Sequence, residues 1–159
     1  MCNKKSEELK NVEINFCSRL KQAATEKGMS LKKIAENSKV PYTTVASYLT
    51  ASESHKNLDY AMAVVLYNVI EKEKIIKSKE ELKFTLNNVN DNFFDNLKKK
   101  YELKNYTLMS FQKDYNFSKS TLHTYLHRAK NPMLPNAIRL ATILNFHLEI
   151  DLGVFYYEN

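Results

Sequence analysis

Residues 15–49 read NFCSRLKQAATEKGMSLKKIAENSKVPYTTVASYL and residues 92–126 read NFFDNLKKKYELKNYTLMSFQKDYNFSKSTLHTYL, so a shift of 77 positions lays one on the other without a gap. Nine of the 35 pairs are identical: Asn15/Asn92, Phe16/Phe93, Leu20/Leu97, Lys21/Lys98, Lys27/Lys104, Leu31/Leu108, Thr44/Thr121, Tyr48/Tyr125 and Leu49/Leu126. Chance pairing over such a length gives about two or three identities. Ser30/Thr107, Ile34/Phe111, Val40/Phe117 and Val45/Leu122 keep their character without identity. The pattern is that of an internal duplication, and whatever local structure suits one copy must suit the other.

Working outward from the repeat, the first copy predicts an amphipathic helix over 15–28, with Phe16, Leu20, Ala23, Ala24 and Lys27 at three- and four-residue spacings and Gly28 suited to a C-cap. Ser30 can cap a short helix LKKIAEN carrying Leu31, Ile34 and Ala35, and Pro41 suits the first turn of a second short helix. With one residue dropped, LDYAMAVVLYNVI (58–70) falls on LPNAIRLATILNF (134–146), matching Leu58/Leu134 and Ala61/Ala137, so a fourth helix repeats too. Each copy then ends in a period-two alternation, Leu82, Phe84 and Leu86 in LKFTL and Leu148, Ile150 and Leu152 in LEIDL, which predicts a short strand. The charged and Asn-rich stretches EKEKIIKSKEE and NNVNDN suit an exposed connection before a helix starting near Asp91, placing the boundary near Asn87. The expected architecture is mainly α, with units at 1–87 and 88–159 whose terminal strands pair antiparallel as an internal pseudo-dimer.

Composition narrows the function classes. Only two glycines and three prolines in 159 residues argue against an all-β chain or a phosphate-cradling α/β chain. Lys and Arg outnumber Asp and Glu 24 to 18, a net charge of +6 that favours a polyanionic partner. Cys2 and Cys17 lack metal-ligand spacing and cannot build a disulfide framework, which fits a reducing, cytoplasmic setting. The longest apolar run, 60–70, is about half a membrane span, so neither membrane insertion nor a cleaved leader is expected. No Gly-rich loop, metal cluster or nucleophile-and-base set supports an enzyme, and no cofactor or metal is expected.

The segment GMSLKKIAENSKVPYTTVASYLT (28–50) resembles the helix-turn-helix of the Cro/C1, XRE-like and lambda-repressor-like regulators, and NYTLMSFQKDYNFSKSTLHTYLH (105–127) is similar to it. Two helices crossing at a fixed angle need Ile34, Val40, Val45 and Tyr48 to point inward together while Ala35 allows close approach. The second inward set is Phe111, Phe117, Leu122 and Tyr125. The copies depart from the family pattern with Lys39 and Asn116 at the turn position that is usually Gly, and with Gln112 where a small residue is usual. The resemblance implies that the second helix of each pair enters the major groove of double-stranded DNA. Base-reading side chains would be Tyr42, Thr43, Ala46 and Ser47 in one unit and Lys119, Ser120, His123 and Thr124 in the other. Phosphate contacts would come from Ser30, Lys32, Lys33 and Lys39, and from Thr107, Lys113 and Arg128. The implied partner is an asymmetric operator of two half-sites about 34 Å apart, bound by a monomer that represses a bacterial, plasmid or phage operon. A chain of this size also resembles the TraN-type accessory proteins of Gram-positive conjugative plasmids, which bind DNA near transfer genes.

Rival readings stand beside these. A helical-repeat scaffold of this shape can serve another protein, as an antirepressor or a component of a conjugation or secretion complex. His123 and His127, spaced i, i+4, could hold a metal, but no third ligand accompanies them. The Lys98 to Lys100 run is a solvated helix face before it is a phosphate patch. Tyr48 and Tyr125 read as core residues, and Cys17 as a buried, inert thiol.

Overall fold

The computed structural model describes residues 2–50 and 58–151, with side chains from Glu13 onward. Among these residues the structure is helical: α1 (Cys2–Glu26), α2 (Leu31–Ser38), α3 (Tyr42–Leu49), α4 (Tyr60–Glu71), α5 (Lys79–Leu103), α6 (Leu108–Tyr115), α7 (Lys119–Leu126) and α8 (Leu134–Leu144). The bounds of α5, α6 and α7 are those of α1, α2 and α3 shifted by 77, so the duplication runs through whole helices and begins well before Asn15.

Local chemistry explains the starts and stops. Ser30 Oγ accepts from Lys33 N at 3.1 Å to open α2, and Thr107 opens α6 through a reciprocal pair of hydrogen bonds with Ser110. Both turns between the short helices use a left-handed residue, Lys39 at φ 63° and Asn116 at φ 52°, whose N–H groups donate to Ala35 O and Gln112 O. Gly28, at φ 65°, ends the first long helix as expected. Asp59 Oδ1 accepts from Met62 N at 3.0 Å to cap α4, a helix apolar on nearly every side that runs through the middle of the core.

Among the described residues the expected terminal strands do not form. LKFTL lies inside α5, which starts at Lys79 rather than near Asp91, so the helix also runs through Asn87. Ser78 Oγ accepts from Glu81 N at 3.1 Å, Glu81 Oε2 accepts from Lys77 N at 2.8 Å, and two acidic residues sit in the first turn. Leu82, Leu86, Val89, Phe93 and Leu97 then fall on one helical stripe against the core, leaving Phe84 outward and 66% exposed. In LEIDL, Ile150 is buried and Leu148 half-buried, keeping the alternation, but no strand among the described residues pairs with this stretch; Leu152 lies outside the described residues. The connection between α4 and α5 is anchored instead of floating, because Ile76 is buried and its N–H donates to Asn37 O at 2.7 Å.

Among the described residues the two copies meet through backbone at one antiparallel bridge, Asp59 with Met133. Tyr60 N donates to Pro132 O at 3.0 Å and Leu134 N donates to Leu58 O at 2.6 Å. Asp59 and Met133 are the N-cap residues of α4 and α8, so equivalent positions exchange equivalent hydrogen bonds, as about a two-fold axis. This fixes the register of the fourth helix at a shift of 74, not the 76 that the Ala61/Ala137 match suggests. At 74, buried Tyr60, Ala61, Ala63, Val64, Leu66, Tyr67 and Ile70 match buried Leu134, Pro135, Ala137, Ile138, Leu140, Ala141 and Leu144. Around the bridge α4 packs on α1 and α5, and α8 on α5 and α1, while α3 rests on α1 and α7 on α5.

The copies fill the same positions with different material. Phe111 is ringed by Tyr101, Tyr106, Tyr115 and Phe117 at centroid distances of 4.9–6.1 Å, where the first copy has Ala24, Met29, Ser38 and Val40 around Ile34. Beneath the bridge, buried Glu13 accepts from the Leu58 N–H, and burial pushes its carboxyl up to about 7. The equivalent positions are Asn90, also buried but uncharged, and Pro132, which has no N–H to offer.

Candidate nucleic-acid interface

The short helix pairs carry the residues singled out from the sequence. In α2 and α3 the inward set Ile34, Val40, Val45 and Tyr48 is buried; in α6 and α7 so are Phe111, Phe117, Leu122 and Tyr125. Burying these seams turns one face of α3 and of α7 outward. On α3, Tyr42 is 54% exposed, Thr43 and Ser47 are exposed, and Ala46 is half-buried. On α7, Lys119, Ser120 and His123 are exposed and Thr124 is half-buried.

Hydrogen bonds sort these side chains by what they have left to offer. Ser47 Oγ donates to Thr44 O at 2.9 Å and Thr124 Oγ1 to Ser120 O at 2.8 Å, so both hydroxyls keep lone pairs but spend their proton within the helix. Thr43, Lys119, Ser120 and His123 stand outward on the same faces. The His123 and His127 rings lie 4.2 Å apart, with His127 Nδ1 2.9 Å from His123 O at the C-terminal end of α7. Neither helix is acidic; α3 carries no formal charge and α7 carries Lys119.

The expected phosphate-binding residues divide the same way. Lys32, Lys33 and Lys113 are exposed. Ser30 and Thr107 are N-caps at the starts of α2 and α6, where the positive end of the helix dipole lies. Lys39 is half-buried and its Nζ donates to Glu36 O at 2.6 Å. Arg128, beyond the end of α7, is engaged by two carboxylates of α5: Asp91 Oδ1 at 3.4 Å and Asp95 Oδ1, with its guanidinium 5.6 Å from the Phe94 ring centre. The first copy has Ile14 and Ser18 at the positions of Asp91 and Asp95.

Three features of the site escaped sequence reasoning. Gln112 is exposed and lines a surface depression with Leu108, Ser118, Lys119, Ser120, His123 and Thr124, so it faces the outer side of α7 instead of crowding the packing of α6 on α7. Its position next to the inward Phe111 was the available signal. Lys130 is a further exposed cation just past α7. The hydroxyls of Tyr48 and Tyr125, at the inner ends of α3 and α7, each accept a backbone hydrogen bond from the bridge, Asp59 N at 3.0 Å and Met133 N at 3.0 Å; no local pattern announces a partner eight to eleven residues away.

Cys17 is buried beside Glu13, and burial pushes its thiol up to about 12, as suits an inert core cysteine. No helix among the described residues is long and apolar enough to cross a membrane. Comparisons with protein-family models, with characterised proteins and with solved structures gave no match to this chain.

Proposed function

We propose that the chain is a sequence-specific double-stranded DNA-binding protein with two helix-turn-helix units in one polypeptide, acting as a transcriptional repressor that occludes a promoter. The observation that carries this reading is the duplicated short helix pair. In each, an apolar seam is buried and the second helix turns a non-acidic, hydrogen-bonding face outward: Tyr42, Thr43 and Ser47 in one, Lys119, Ser120 and His123 in the other. The net charge of +6, the exposed Lys32 and Lys33 near the start of α2 and the exposed Lys113 in the last turn of α6 supply the sequence-independent attraction. The two outward faces differ, so the preferred site is asymmetric.

The direct test is fluorescence-anisotropy titration of a labelled duplex against salt. Neutralising some five phosphates gives a slope of log K on log salt of about −4.5. Loss of steep dependence is the outcome against it. The uncharged α3 face, with its exposed Tyr42, suits a protein partner better than DNA and favours a second reading in which one unit docks on protein. Salt-insensitive capture of a protein by a variant that no longer holds DNA would support that reading.

A further inference from the structure

The two recognition-type helices α3 and α7 belong to different copies of the repeat, yet each reaches the same two-residue bridge through a tyrosine hydroxyl. Tyr48 OH accepts from Asp59 N at 3.0 Å. Tyr125 OH accepts from Met133 N at 3.0 Å and from Asn136 Nδ2 at 3.2 Å. Asp59 and Met133 are the paired residues of the bridge, and each is an N-cap, whose own N–H has no partner within its helix. The hydroxyls complete those two positions. A chain of contacts therefore runs from α3 through Tyr48, Asp59, Met133 and Tyr125 to α7. The two tyrosines are buried, at 7% and 3% exposed, and Asp59 and Met133 are half-buried. A buried phenol is rigid, with two side-chain torsions to restrain, and its hydroxyl needs a partner.

We propose that the Tyr48 and Tyr125 hydroxyls are positioning groups that fix the separation and mutual orientation of α3 and α7. Resting on the DNA-binding reading, the consequence is that the chain measures its target, accepting one spacing between two half-sites. Tethering raises local concentration at the second half-site only when the geometry permits both heads to engage, so a rigid link converts avidity into spacing selectivity.

The link can be tested without DNA. Nitroxides are placed at Thr43→Cys and Ser120→Cys in a Cys2→Ser background, leaving buried Cys17 in place, and pulsed electron paramagnetic resonance reports the distribution of distances between α3 and α7. The parent gives one narrow distance. The Tyr48→Phe/Tyr125→Phe double variant, measured well below its melting temperature, gives a distribution at least about twofold wider, because the helices lose their shared anchor. Tyr60→Phe is the matched control. Its hydroxyl accepts from Glu149 N at 3.0 Å, a bond of the same kind that touches neither short helix pair, and the width stays that of the parent. An unchanged width in the double variant, or equal broadening by Tyr60→Phe, overturns the proposal.

The second arm uses duplexes carrying the two selected half-sites with the intervening length varied by one to five base pairs. The parent loses about tenfold or more in affinity away from one spacing, and the double variant flattens that profile while holding a single half-site as tightly as the parent. A flat profile for the parent overturns the ruler. Absence of any duplex binding together with the expected width change would sink the DNA reading alone and leave the positioning role standing.

Discussion

At the scale of single residues, the copies differ most where a charge is buried. Glu13 lies under the bridge, close to Cys17 and Tyr48, with the Leu58 N–H as its donor. Its carboxyl is raised from 4.5 to about 7 chiefly by burial, so the folded protein keeps a proton that the unfolded chain releases. The stability this confers is complete below about 4.5 and is lost as pH rises toward 7. Glu13→Gln is expected to be more stable than the parent at pH 8 by on the order of 2 kcal/mol and nearly equal to it at pH 4.5, read as urea midpoints at the two pH values. An equal gain at both would contradict the buried-carboxyl explanation. Asp59 is raised in the same direction, and comparing variant with parent cancels its effect. Lys39, at the position of Asn116 in the other copy, meets a backbone demand. It holds φ 63° without being glycine, so Lys39→Gly is expected to raise the thermal midpoint by the equivalent of about 1 kcal/mol, and Asn116→Gly by less, since Asn tolerates this conformation better. The inward residues Ile34, Val40, Val45 and Tyr48 were legible because they repeat with one character in two copies. Glu13 was not, because a carboxylate near the start of a helical pattern reads as solvated until the bridge covers it.

Among elements, α5 shows how a short alternation misleads. Leu82, Phe84 and Leu86 fit a strand by period two, but Leu82 and Leu86 are also i, i+4 on a helix, and Val89, Phe93 and Leu97 extend that stripe. The cap at Ser78 with Glu81 decides between them. Ser78→Ala is therefore expected to cost about 1 kcal/mol in chemical unfolding, while the same change at exposed, mid-helix Asp91 costs less than about 0.5 kcal/mol; the reverse order would place the helix start near Asp91. α5 also modulates the proposed reading face, since Asp91 and Asp95 hold Arg128 beside α7. Replacing both by Asn releases that guanidinium to a phosphate and removes two like charges. Duplex affinity at low salt is expected to rise about threefold to tenfold, with a steeper salt slope. Unchanged affinity would remove Arg128 from the interface.

The whole molecule is organised by a contact that sequence could not display. The duplication, the helical class and the buried seams of both short helix pairs all follow from residue character at fixed spacings. The backbone bridge at the join between the copies does not, because it is made by N–H and C=O groups of residues 58–60 and 132–134, which carry no side-chain identity. The alternating stretches that end each copy point instead to a strand pair. What forms is a two-residue bridge between helix N-caps, with α1, α4, α5 and α8 packed around it and a tyrosine from each short helix pair anchored on it. If this assembly presents two unlike reading helices to DNA, its binding site records both. Selection of bound sequences from a pool of random duplexes, read at two salt concentrations, examines that most directly. The expected result is two half-sites of different sequence at one fixed separation, with enrichment falling steeply as salt rises. No enrichment at low salt, or one perfectly palindromic site, would contradict it.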